Sequence, residues 1–149
     1  MTASHWHVII NHLPIIGTCI CSLFLLMGLI LKNNQIKLIS IGMISVMTVF
    51  GFIAHKTGEN AEHSIKQTHE MHEAIEAHEG AAKPGFIMHN IAGFLSIITL
   101  VVYKKKKIFN ILATVLLILC LITVSSLGYA GYMGGKIRHS KTPTTKADH

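Results

Sequence analysis

Four histidines give the first chemical signal in this chain. His7 and His12 open its first long apolar run, His55 closes the second, and His89 opens the third. If those runs cross a bilayer in alternating directions, all four imidazoles gather at one end. His12 and His89 then lie about 5–8 Å inside the boundary, at about 1.5 Å of rise per residue. Ionisable side chains at that depth are costly and turn towards a bundle interior, a cavity or a cofactor.

Imidazoles from facing helices at one depth are what a b-type haem requires, because its iron takes axial nitrogens from the protein. His12 and His89 are the candidate axial ligands, with His55 or His7 as substitutes. Gly17, Ala92 and Gly93 leave room for a flat macrocycle between the first and third runs. Pro14 can bend the first near His12, and Asn11 or Asn90 can orient an imidazole through its second nitrogen. A hydrogen bond across the bundle accounts for the same histidines equally well. No C-x-x-C-H attachment motif decides between the two readings.

A second constellation lies between the second and third runs. His69, His72 and Glu76 follow each other at three- and four-residue steps, which sets two imidazoles and a carboxylate on one helical stripe. That set suits Zn, Cu or Ni, with His78 as a further ligand and His63, Glu62 and Glu73 nearby. A solvated helix rich in Glu and His needs no metal, however. The contiguous H-E-x-x-H of zinc peptidases is missing, and Ser125, Ser126 and Thr99 have no partnered base. The residues therefore point to binding rather than catalysis.

The elements that must position these groups follow from composition. Half of the 149 residues are hydrophobic and only 13% are charged, against roughly 25% in soluble domains. Residues 8–31, 38–55, 86–103 and 108–132 contain no Asp, Glu, Lys or Arg. Each is long enough to cross the hydrocarbon core. The expected fold is all-α: an integral membrane four-helix bundle forming one domain over 1–139. An amphipathic His/Glu-rich helix is expected inside the 56–85 loop, from Asn60 to about Ala82, stopped by Lys83-Pro84-Gly85. The tail 140–149 is expected to be disordered. Related His-Asn and Gly spacings open the first and third runs, which suggests duplication of a two-helix unit.

The net charge of +6 reflects topology rather than nucleic-acid binding, since no basic face alternates with aromatics. Lys32 and Lys37 flank the first short link, and Lys104–Lys107 make up the second. Short, densely basic links remain cytoplasmic, which places the termini and the 56–85 loop on the other side. The lysines would meet anionic lipid headgroups. No cleavable signal is evident, so the first run is expected to direct its own insertion. Cys19, Cys21 and Cys120 fall inside the runs as packing residues.

Short motifs along most of the chain resemble the small bacterial membrane proteins grouped as the domain of unknown function 2231 family. They are His7 through His12-Leu13-Pro14, the acidic stretch after Thr57-Gly58, Glu76-Ala77-His78-Glu79, His89, and Tyr132-Met133-Gly134-Gly135. Leu13, where an aromatic is common, and the unusually His-rich loop depart from the pattern. The resemblance implies a four-span bundle in a bacterial inner membrane and marks His12, His78 and His89 as positions of interest. It implies no activity.

Three functions fit these residues. One is a haem-binding electron carrier, served by a quinone or a larger membrane redox complex. Another is divalent-metal binding or a transport-associated role; no charged residue is expected along the inner half of the bundle, which argues against transport itself. The last is a non-catalytic accessory subunit that packs through its glycines against a larger complex or a second copy of itself.

Overall fold

The computed structural model describes residues 3–63 and 69–140, with side chains over 10–58, 72–73 and 75–135. Four helices account for the described residues, apart from two short turns: α1 (Ala3–Ile30), α2 (Asn34–His63), α3 (His69–Val101) and α4 (Lys106–Ser140). All four are long and apolar enough to cross a membrane, over Ile10–Ile30, Asn34–Gly58, Ile75–Val101 and Lys106–Gly135. The protein is a multi-pass, all-α membrane bundle. The expected disorder after 140 lies outside the described residues.

Both described turns are set by local chemistry. α1 ends with Asn33 N–H donating to the Gly28 carbonyl (2.9 Å) and Lys32 N–H to that of Leu29 (3.2 Å). This is the Schellman arrangement, which needs a left-handed residue between them, and Lys32 adopts φ 52°. Asn33 then caps α2, its Oδ1 accepting from the N–H groups of Gln35 (2.9 Å) and Ile36 (3.2 Å). So short a turn makes α1 and α2 antiparallel neighbours, and residues 102–105 do the same for α3 and α4. α2 packs on α3 and α4 on α1, closing a ring.

Each helix buries one stripe. On α1 it runs Pro14, Thr18, Cys21, Ser22, Leu25 and Gly28, at three- and four-residue steps. Several hydroxyls inside the bundle are satisfied within their own helices: Ser22 donates to Thr18 O (2.7 Å), Thr99 to Leu95 O (2.7 Å) and Thr123 to Leu119 O (2.9 Å). The outer faces are the reverse of a soluble protein's, with Leu23, Phe94 and Val101 all more than 60% exposed. Buried small and hydroxylated residues among the core's larger ones, with large apolar side chains on the outer faces, are the pattern expected where lipid is the solvent.

The helical loop differs from expectation. Among the described residues it forms no separate helix. Its first part extends α2 to His63, and its second extends α3 backwards to His69. The helix expected from Asn60 to about Ala82 is therefore divided between α2 and α3. α3 also runs straight through Lys83-Pro84-Gly85. Gly85 is buried, and a Cβ there would lie 2.8 Å from Leu127 Cδ2. This glycine serves close approach of α3 and α4, not helix termination.

Candidate functional site

His89 is the one candidate whose described side chain is fully buried, at 1% exposure. Its Nε2 lies 3.0 Å from the carbonyl oxygen of Met47 on α2. A carbonyl only accepts, so Nε2 carries the hydrogen and donates it. In the neutral ring this leaves Nδ1 as a bare acceptor, and that atom is buried without a partner.

Gly51 makes the contact possible. A helical side chain leans back over the preceding turn, so a side chain at 51 would cover the carbonyl four residues earlier, which is that of Met47. A Cβ at 51 would stand 2.5 Å from His89 Cδ2 and 2.7 Å from Nε2. The rest of the α2–α3 seam is built alike. Gly93 lies against Thr48. Ser96 donates to Gly93 O at 2.6 Å, so the 2.6 Å contact between the two serines is Ser45 donating to Ser96.

The hydroxyl of Thr18 is the other buried side-chain group without a partner among the described residues. Thr18 adjoins Gly17, which abuts the Met47 side chain. A potential donor on α1 and a bare acceptor on α3 thus both pack around the Met47 level. Buried orphans are uncommon in folded proteins and mark sites where water, an ion or a ligand belongs.

The remaining candidates are placed elsewhere. His12 is exposed, whereas Pro14 is buried; two residues turn a helix by about 200°, so burying one turns the other outwards. α1 and α3 are also not ring neighbours. His12 and His89, equivalent positions in the suggested duplication, therefore have opposite environments. His55 is exposed and stacks on Phe86 of α3 at 4.2 Å between ring centres, with 25° between planes. That sets it one turn outward from His89. The side chain of His7 lies outside the described residues. Asn90 donates to Phe86 O of its own helix (2.8 Å) and so does not orient His89; adjacent residues on a helix do not face each other.

The expected metal stripe is brought together only in part. His72 Nε2 and Glu76 Oε1 are 3.4 Å apart, both more than half exposed. The side chain of His69 lies outside the described residues. His78 turns away to α4, where its Nδ1–H donates to Ala130 O at 2.9 Å. No three His, Cys, Asp or Glu side chains converge as metal ligands would among the described residues.

One buried charge overturns an expectation. Lys37 is 3% exposed, and its Nζ donates to Asn110 Oδ1 of α4 at 2.6 Å. Lys37, expected at the edge of the first short link, thus lies within the bundle, in the inner half where no charged residue was expected. The available signal was Asn110, the lone amide side chain within 108–132. Scanned against protein-family models the chain matches none, and no curated protein or solved structure matches it.

Proposed function

We propose that this protein is a non-enzymatic, haem-binding membrane bundle of the electron-transfer class, with His89 as the axial ligand that the interior supplies. The carrying observation is its imidazole: one nitrogen tied to a backbone carbonyl and the other bare and buried. Ligating histidines are held in this way, their second N–H donated to a carbonyl or carboxylate. A lone imidazole also selects between cofactors. Haem iron brings four nitrogens of its own macrocycle and needs one or two from the protein. Zn²⁺ in a protein site takes three or four protein ligands, which favours haem over the Zn, Cu or Ni alternative at this position. His55, one turn outward on the neighbouring helix, is the substitute ligand whose side chain is described. In this reading the His-bearing end faces away from the cytoplasm of a bacterial inner membrane, and electrons pass to a quinone or to a larger redox complex.

An optical spectrum of the protein, purified after expression with ample haem and then reduced with dithionite, tests the reading. The expected result is a Soret band that shifts on reduction, is lost in His89→Ala and survives in His12→Ala. A colourless wild-type protein would overturn it. A second reading is favoured by the closeness of the α2–α3 seam, where the His89 ring fills the space above Gly51 and Thr48 that above Gly93. In that reading the chain is an accessory subunit and His89 clamps two helices. Spectral silence together with co-purification of a larger membrane enzyme would support it.

A further inference from the structure

We propose that the basic end of the bundle holds a binding site for a phosphate group, supplied by the headgroup of an anionic lipid. A cavity of about 390 Å³ opens there between the α1–α2 turn and the start of α4, lined by Leu29, Lys32, Asn34, Lys37, Lys106 and Asn110. Three of these six are lysines. No carboxylate lies at this end of the bundle to balance them: Asp148 in the tail aside, every acidic residue falls within 59–79, at the ends of α2 and α3 far from the cavity.

The site is built rather than merely basic. The stem of Lys37 is tucked against Gly28, where a Cβ would come within 2.9 Å of Lys37 Cγ. Its ammonium is held by Asn110 Oδ1 at 2.6 Å and lies 5.3 Å from the centre of the Phe109 ring. An ammonium has three hydrogens, so this acceptor leaves donor capacity over, on a side chain that is itself buried, where an unbalanced charge is costly. The first turns of α2 and α4 both begin at the cavity, at Asn34 and Lys106. Their positive dipole ends add to the field. Lys32 occupies the left-handed position of the α1 turn, where glycine would carry no strain. Its presence there puts a third cation on the cavity wall.

Depth selects the occupant. The cavity sits where the apolar spans end, at Ile30, Asn34 and Lys106, which is the headgroup level of a bilayer. The phosphodiester of an anionic lipid is the anion concentrated at that level, and basic pockets between membrane helices recognise such headgroups. The proposal is independent of the haem reading, and its test does not involve haem.

The full chain in mild detergent is titrated with phosphatidylglycerol, with phosphatidylcholine and with inorganic phosphate. Thermal unfolding and native mass spectrometry report stabilisation and retained lipid. Phosphatidylglycerol is expected to raise the unfolding temperature and to remain bound, while phosphatidylcholine does neither. Lys32→Gln/Lys106→Gln, at two exposed positions, should weaken phosphatidylglycerol binding about thirtyfold. Lys104→Gln/Lys105→Gln, which removes as much charge from the same end but none from the cavity wall, should retain it. Equal effects of the two lipids, or equal losses in the two double variants, would overturn the site. Inorganic phosphate reproducing the full shift would overturn the lipid as its source.

Discussion

Two glycines of α2 have opposite surroundings, and the difference can be measured. A Cβ at Gly51 would run into the His89 ring, whereas one at Gly42 would meet nothing within 4 Å. Gly51→Ala forces the imidazole away from the Met47 carbonyl and overpacks the seam, a change that costs about 1–3 kcal/mol. Gly42→Ala relieves a helix of a poor former and should be neutral or slightly stabilising. Reversible unfolding of both variants in detergent gives the comparison. Equal stabilities would show that His89 does not depend on close approach at 51. The same residues bear on the site. If His89 ligates a cofactor, Gly51→Ala should also broaden or shift its optical bands, because the ring would lose the hydrogen bond that fixes its orientation.

At the scale of the helix, the α1–α2 turn concentrates its order in Lys32 and Asn33. Asn33 closes α1 with its backbone and starts α2 with its side chain. Asn33→Ala should destabilise the hairpin by about 1 kcal/mol, the usual cost of a lost N-cap. Thermal unfolding alongside Asn34→Ala, which removes no cap, is the check. An Asn33→Ala protein as stable as Asn34→Ala would mean that the lysine-rich turn is held by something else. The four helices were legible because an apolar run of bilayer length can satisfy all its backbone groups internally only as a helix. Their ends were less legible. Excluding Lys37 from the second span assumed that a charge marks a boundary, but its long stem and the Asn110 acceptor let it lie inside. Lys83-Pro84-Gly85 reads as a stop because local preference opposes a helix there. Packing of Gly85 on Leu127 outweighs that preference. The candidate site was legible as a level but not as a set of facing side chains. Which face of α1 turns inward depends on partners that spacing does not reveal, and this separates His12 from His89.

For the whole molecule, the uneven distribution of charge sets the orientation. The two turns that join helices at the basic end carry Lys32, Lys104 and Lys105, with Lys37, Lys106 and Lys107 in the first turns of the helices that follow. The opposite end carries the acidic extensions of α2 and α3. Its lysines are spread over the longer 56–85 segment and the tail. Orientation follows the density of Lys and Arg in short links and not the total, because long segments are translocated largely regardless of charge. The termini and the His-bearing end should therefore lie outside the cytoplasm. Alkaline phosphatase, active only after export, is expected to be active when fused after Ser140 and inactive when fused after Lys105. A fluorescent protein that matures only in the cytoplasm should give the reverse. Replacing Lys104–Lys107 with glutamine should then yield a mixed population, as the strongest retention signal is removed while Lys32 and Lys37 remain. An active phosphatase after Lys105 in the unaltered chain would invert the bundle. It would place His89 near the cytoplasmic face and the three-lysine cavity in the opposite leaflet, where the supply of anionic headgroups is different. The topology measurement thus comes before both site experiments, since it fixes which leaflet the cavity can sample and from which side a redox partner could reach His89.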